Sequence, residues 1–508
     1  MISGNSVAGI EMSGAGPNNF VEGNFIGTNA AGSAALANGI GVYMTGAAFQ
    51  NIIGGITPAT RNVISGNSNA GILFASLSSS NAVEGDLIGT DASGTSAVGN
   101  SDGISMTNAS NAIGGTVAGA SNVISGNVRG IAIINANASI VQGNLIGTDI
   151  TGTAAVGNQI GVYIASGAGS NLIGGTTASA ANVISGNTSY GVNITGTGTT
   201  ANLVQGNLIG TDVHGTAPLA NLVDGVKIDS CAVNNSIGGT GAGAGNSIAY
   251  NPKGVVVVGI ASTGNAIESN SIFSNTALGI DLNDDGVTPN TPGGPHAGPN
   301  DLQNYPVLTG VVFGGNNVTI HGTLNSAANA AFRLEFFSNP ACDPSGHGQG
   351  RSFLGFQNVS TDASGNVSFN AGFSATNAQV TATATDPAGN TSEFSACGQP
   401  DYALTNVTGS NLRVRLGKPF TFVVASFTDT DPSGSAGQFS TTTINWGDGT
   451  ASTSAQIVPL GSQNYNVIGT HTYAKVGAWT VTVTINDSGG ATATATSKVR
   501  LWPKPLSY

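Results

Sequence analysis

The sequence predicts an all-β chain: a parallel β-helix of about ten coils, followed by two β-sandwich modules. Three observations predict it. The phrase Asn-Val-Ile-Ser-Gly-Asn begins at Asn62, Asn122 and Asn182, 60 residues apart each time. A finer period lies inside this one. Gly followed by Ile or Val recurs at Gly9, Gly41, Gly71, Gly103, Gly130, Gly161, Gly191, Gly225, Gly254 and Gly279, in steps of 25 to 34 residues. After Gly279 both periods stop, and alternating apolar runs separated by turn residues take over. A fixed period of this length means stacked supersecondary units, each burying its apolar face against the next.

Each coil of about thirty residues holds three short apolar runs in which alternate residues are apolar, as in Gly161-Val162-Tyr163-Ile164. Period-two alternation points one face inward, and frequent Gly and Asn disfavour a helix. Gly-Asn pairs suit the corners because both residues tolerate left-handed backbone. Two coil types alternate. One carries Asn-x-Ile-Gly-Gly and the NVISGN phrase; the other carries VQGNLIGTD and a loop such as Gly152–Asn158. At ~4.8 Å per coil, ten coils make a rod of roughly 45 Å. Aligned asparagines such as Asn67, Asn127 and Asn187 are expected to form side-chain amide ladders along the stack.

The pattern over residues 1–285 resembles the right-handed parallel β-helix repeat proteins of the pectate-lyase-like architecture. The resemblance implies the fold but no single activity, since that architecture hosts lyases, hydrolases, epimerases, adhesins and phage tailspikes. From Gly279 the chain reads GIDLNDDGVTPNTPGGPHAGPNDLQNYPVLTG, and its prolines end the regular strands. This stretch resembles the segment that closes β-helices in secreted bacterial repeat proteins, so the rod and its cap are assigned to 1–305.

Residues 306–400 carry runs such as Asn317–His321, Arg333–Phe337 and Gln379–Thr385, expected to form an antiparallel sandwich. Residues 401–500 carry Asn445-Trp446-Gly447-Asp448-Gly449-Thr450, then His471-Thr472-Tyr473, Gly477 and Trp479–Thr484. That order resembles a PKD (polycystic kidney disease) domain, an immunoglobulin-like sandwich, over about Thr405 to Val499. The resemblance implies a spacer or interaction module, with Trp446, Asp448, His471 and Tyr473 holding the fold. Residues 501–508 are a tail.

Composition narrows the function classes. Only 7% of the 508 residues are charged, while 40% are hydrophobic, so the chain folds. A net charge of -12 argues against nucleic acid and anionic membrane surfaces. No apolar run reaches the length of a membrane span. Met1 leads straight into Ile2-Ser3-Gly4-Asn5, a piece of the repeat, so an export signal and cap are expected upstream. Cys342 and Cys397 fall in one segment and are expected to pair, which implies an oxidising compartment. Cys231 reads as a small buried apolar residue.

Candidate chemistry sits where the repeat breaks. Asp281-x-Asn283-x-Asp285-Gly286 matches the opening of a calcium loop, although the twelfth position is Pro292 instead of Glu, and Asp301 serves only if the chain folds back. The alternative is an Asx turn. A glycoside hydrolase needs two carboxylates about 5–5.5 or 6.5–9.5 Å apart. Asp224 or Asp229 with Glu268 or Asp281, and Lys227 nearby, are the catalytic candidates at the end of the rod. A lyase needs clustered bases, and the rod has only Arg61, Arg129, Lys227 and Lys253, on scattered coils. The column before each Gly step places Asp102 by Arg129 and Asp224 by Lys253, which reads as cross-strand pairing. Asp91, Asp149 and Asp212 recur in every second coil and read as turn formers. Threonines on alternate coils argue against an ice-binding face, and His214 reads as an exposed loop residue.

The expectation is therefore an extracellular or cell-surface bacterial protein that acts in adhesion or carbohydrate interaction without catalysis. The alternatives are a polysaccharide lyase or glycoside hydrolase on a groove of the rod, and a structural fragment of a longer fibre. Its partner is expected to be a polysaccharide or cell-surface glycan, with calcium the one cofactor in view.

Overall fold

The computed structural model describes all residues except 76, 377, 432–433 and 503–508. The tail at 501–508 therefore lies outside the described residues from 503 onward. The chain divides into two compact units: 1–306 with 324–367 and 381–396, and 307–323 with 368–380 and 397–508.

Within the first unit, nine coils each contribute one strand to each of three parallel walls, and a tenth adds a strand to the first wall alone. The first wall has ten strands, from Ala8–Ser13 to Ile280–Leu282. The second and third have nine each, ending at Ala266–Glu268 and Ser271–Phe273. Register is strict: Ile164 pairs with Ile194, Ile194 with Ile228, and Ile228 with Val257. A one-residue slip would turn every inward Ile or Val to solvent, so the apolar alternation fixes the stacking. The interior column, including Val162, Ile164, Ile173, Ile184, Val192 and Ile194, is fully buried.

The corners are built by three asparagine ladders. In the first, Asn127 Nδ2 donates to Asn158 Oδ1 and Asn158 Nδ2 to Asn187 Oδ1, each at 3.0 Å. Asn187 Nδ2 continues to Asn221 Oδ1 at 2.8 Å. Each Oδ1 also accepts the backbone N–H of the preceding rung, as Asn187 Oδ1 does from Asn158 N at 3.2 Å. Buried polar groups are thus satisfied by the repeat itself. Glycine allows the close approach: a Cβ on Gly161 would stand 2.6 Å from the carbonyl oxygen of Gly191.

One rung differs. In the third ladder Asp86 stands between Asn62 and Asn122, fully buried. Its Oδ1 accepts from Asn62 N at 2.7 Å and from Asn62 Nδ2 at 3.0 Å. Its Oδ2 takes the place where neighbouring rungs carry an amide nitrogen, and has no hydrogen-bond partner. Burial pushes this carboxyl up to about 8, so it is neutral at pH 7.

The rod's C-terminal end is closed by residues far along the chain. Gln349 Oε1 accepts from Asn275 N and Nδ2 at 3.1 and 2.9 Å and finishes the first ladder. Asn300 Oδ1 accepts from Asn265 N at 3.1 Å and finishes the second. Phe337 and Phe394 join the same apolar core as Ile272, Ile280 and Leu282. Glu393 accepts from Leu282 N at 2.9 Å and Thr288 N at 2.8 Å, and Gly350 pairs with Ile272. These contacts block the open strand edges against further pairing. The compact unit that contains the rod thus takes in residues that the sequence assigns to the following module. Antiparallel strands Ala331–Asn339 and Ser352–Ser360, in one sheet with Gln379–Thr385, supply much of this lid.

The second unit contains a four-stranded sheet of Thr405–Gly409, Phe420–Thr428, Asn464–His471 and Gln456–Gly461. Its five-stranded sheet comprises Asn411–Arg415, Thr492–Trp502, Ala478–Asn486, Thr443–Asn445 and Thr453–Ser454. Trp446 is fully buried between the sheets' apolar residues and stacks on His471 at 4.6 Å. The Tyr473 hydroxyl donates to the Trp446 carbonyl at 3.0 Å, and His471 Nε2 lies 2.9 Å from Asp448 Oδ2. The four signature residues thus hold one another. Cys342 and Cys397 are disulfide-bonded, and Cys231 is free and half-buried.

Candidate functional site

Ionisable side chains gather on the outer face of the first wall, on its last coils. Strand alternation points Lys227 and Asp229 away from the inward Val226 and Ile228, while Asp224 opens the strand and is buried. Register then sets Lys253 beside Asp224 and Asp281 beside Val256. Lys227 Nζ lies 3.7 Å from Asp224 Oδ2 and 3.0 Å from Asp284 Oδ2. Lys253 Nζ lies 3.2 Å from Asp281 Oδ2 and also pairs with Asp284. Two ammonium groups therefore face three carboxylates, two of which, Asp224 and Asp281, are buried.

Burial pushes the Asp224 carboxyl up to about 6, against the pull of Lys227. Burial opposes charge on Lys227 too, yet its hydrogen bond to Asp284 and the nearby carboxylates outweigh this and raise it. The same balance raises Lys253. Burial also works against Asp284, but its hydrogen bonds to both lysines hold it below the usual carboxylate range.

The structure distributes the sequence candidates unevenly. It joins Asp224, Lys227 and Asp281 in one cluster. Asp229 accepts the Thr195 hydroxyl and lies 3.5 Å from Asn193 Nδ2. Glu268 is on the second wall, where it faces Arg333 at 3.7 Å; burial and the charge of Glu335 raise its pKa. It makes no pair with Asp224, because the corner between walls sends its side chain elsewhere. The expected Asp224–Lys253 bridge is replaced by Lys253 reaching forward to the exit turn, whereas Arg129 grips Asp102 through two bonds of 2.7 and 3.0 Å. In the exit turn, Asn283 Nδ2 donates to Asp285 Oδ2 at 2.8 Å, while Asp281 faces Lys253. With Asp281 already neutralised by an ammonium, this donor set does not fit a calcium ion as it stands. Asp301 accepts instead from Asn390 Nδ2 at 3.1 Å.

Sequence reading passed over Asp284, the centre of the cluster; the Asp284-Asp285 doublet at the end of the repeat was its only signal. It also passed over Tyr190 and Tyr163. Each lies under a cation, Lys227 at 5.8 Å and Arg129 at 5.2 Å from the ring centres. Asp149, by contrast, takes its expected role: its Oδ1 accepts from Thr153 N and Ala154 N, both at 3.1 Å. Asp91 and Asp212 do the same in their own coils.

The fold defines an all-β protein, a parallel β-helix followed by antiparallel sheets. No known family and no curated protein matches the chain. Among solved structures it is similar to fibronectin(III)-like modules of CbhA from Clostridium thermocellum, at 14% identity, covering 40% of this chain and 94% of that one, TM-score 0.20. It is also similar to a putative membrane anchored protein from Corynebacterium diphtheriae, at 10% identity over 39% and 53% of the two chains, TM-score 0.17. A 1.5-MDa bacterial ice-binding adhesin matches at 16% identity over 39% and 64%, TM-score 0.14. Likenesses at these scores carry no functional argument. Among the described residues, no helix is long and apolar enough to cross a membrane.

Proposed function

We propose that the chain is an extracellular or cell-surface protein that binds carbohydrate along the outer face of its first wall, without catalysis. The residues from about Thr405 to Val499 act as a PKD-type spacer. One observation carries the reading: the ionisable groups on that face are committed to one another. Asp224 and Asp281 are 2% and 1% exposed, and the lysines that would meet a substrate already hold carboxylates. What stays partly accessible includes the half-buried Tyr163, Tyr190 and Asp229 on neighbouring strands of that wall. A sugar ring stacks its C–H face on an aromatic ring, while carboxylates accept from its hydroxyls. The disulfide-bonded Cys342 and Cys397 support an oxidising compartment.

The test is a polysaccharide panel scored both for retention and for cleavage. The expected result is retention that weakens in Tyr163→Ala and Tyr190→Ala, with no new reducing ends and no unsaturated uronate absorbance. Cleavage that survives loss of the antiparallel modules would overturn the reading. A second reading, glycoside hydrolysis, has one observation in its favour: the Asp224 carboxyl, raised to about 6, is tuned like a general acid. Asp281 lies two strands further along the wall, in the column of Lys227 and not in that of Asp224. Hydrolysis abolished by Asp224→Asn in a folded variant would establish it.

A further inference from the structure

The outer face of the five-stranded sheet in the second unit is basic, in a chain whose net charge is -12. Its edge strand Asn411–Arg415 and the neighbouring strand Thr492–Trp502 alternate buried and exposed residues. Leu412, Val414 and Val499 are buried in the core, while Arg413, Arg415, Lys498 and Arg500 are exposed. Register sets Arg413 directly beside Arg500 and Asn411 beside Lys498. Backbone to backbone, neighbouring cations are therefore ~4.8 Å apart across the strands and ~6.6 Å along them. Lys418 and Lys475 add to the same end, on two loops that meet where Gly417 N donates to the Tyr473 carbonyl at 2.9 Å.

Nothing within the unit neutralises this face. Among the described residues, none of the sheet's five strands carries an aspartate or glutamate, and no carboxylate pairs with any of these cations. Asp448, in the loop after Thr443–Asn445, is held by His471 and by the Thr450 hydroxyl. Asp487 follows the far end of the strand Ala478–Asn486, whose Ala478 lies beside Arg500, and Asp401 joins that far end through Ala491 N. An edge strand commonly carries charge that blocks pairing with another sheet, which accounts for Arg413 and Arg415. It does not account for Lys498 and Arg500, whose strand is paired on both sides. Like charges directly opposite on paired strands destabilise a sheet, and an anion laid over Arg413 and Arg500 removes that repulsion.

We infer that this face binds an anionic polysaccharide, one bearing carboxylate or sulfate groups, across the strands Asn411–Arg415 and Thr492–Trp502. A cleft of about 300 Å³, lined by Asn411, Leu412, Arg413, Lys498 and Arg500, lies there. That is the lower end of ligand-pocket size, which suits one charged sugar unit of a chain. A guanidinium forks two parallel N–H bonds onto such an anion, and an ammonium adds a point charge. Exposed Thr480 lies beside Lys498, and exposed Thr496 beside Thr482, so hydroxyls that can donate to and accept from a sugar border the cations. Those hydroxyls favour a glycan over a bare anionic lipid surface. The site shares no residue with the first wall of the rod and does not rest on the reading of that wall.

The test is affinity electrophoresis of the full chain at physiological ionic strength, with polygalacturonate and dextran sulfate as charged probes and uncharged dextran as the blank. The expected result is retardation by the charged polymers and none by dextran; retardation by one charged polymer alone names the anionic group. Arg413→Gln with Arg500→Gln is expected to weaken binding about tenfold or more. The same variant should melt at or above the parent temperature, because two facing like charges are gone. Arg61→Gln with Arg351→Gln changes the net charge equally and is expected to keep the binding. Tyr163→Ala with Tyr190→Ala is expected to keep the retardation by dextran sulfate, so the two surfaces fail separately. The inference is overturned by no retardation with either charged polymer, or by equal loss in the two arginine pairs. Binding of a DNA duplex or of phosphatidylglycerol vesicles as tight as that of the charged glycans overturns it as well.

Discussion

Asp86→Asn offers the sharpest test of how the rod is held together. The unfolded carboxyl titrates near its ordinary value of 3.8, and burial moves the folded one to about 8. A raised carboxyl pKa reverses the sign familiar from salt-bridged aspartates. Below the unfolded value both states are protonated and nothing is lost. As pH rises, the unfolded chain releases its proton while the folded chain keeps it, so stability falls until pH passes the folded value. The loss is about 1.4 kcal/mol for each pH unit above 3.8, or roughly 4 kcal/mol by pH 7. Asparagine cannot titrate, and it restores the amide donor that the other rungs carry. Denaturant unfolding of parent and variant between pH 4 and 8 measures the difference, in which every other carboxylate cancels. The variant is expected to gain progressively on the parent over that range. Since coils of a solenoid couple mainly to their neighbours, exchange of the Asn62 and Asp86 amides provides a local reading. A stability difference that stays constant across the whole range would refute a protonated Asp86.

Three further outcomes follow from the geometry. Gly161→Ala forces a Cβ to within 2.6 Å of the Gly191 carbonyl oxygen, so the stack must open there; a fall of at least 1–3 kcal/mol in unfolding free energy is expected, on the order of an overpacked core. Phe394→Ala removes a 3% exposed ring that meets Phe337 edge-on at 5.4 Å, and urea unfolding should show a loss of about 3–5 kcal/mol with faster exchange on the last coil. Lys253→Met leaves Asp281 buried beside Asp284 without its cation; because the lysine is partly exposed, about 1–3 kcal/mol is expected, and Asp281→Asn in the same chain should recover part of it.

Much of this was written in short-range pattern. The Gly-Ile/Val period counts the coils, and the alternation in Gly161–Ile164 names the inward residues. Asn67, Asn127 and Asn187 could be placed in a ladder because a repeat puts like residues over like. Asp149 was legible for the same reason: it closes its own loop within five residues. The W-G-D-G and H-x-Y phrases likewise marked a set of residues that pack together. Asp86 was legible only in hindsight, as the one Asp in a phrase that elsewhere reads Gly-Asn, at Asn144 and Asn207.

Sequence by itself thus determined the β-helix, its coil count and its register, because those follow from residues one coil apart. Only the tertiary structure decided what ends the rod and where the charges meet. Gln349 completes a ladder 74 residues after Asn275, and Glu393 caps a strand 111 residues before it. Asp284 binds lysines from two earlier coils, and Asp401 reaches a loop 90 residues on. No period relates these partners, so their meeting depends on how the chain turns back after the repeat stops.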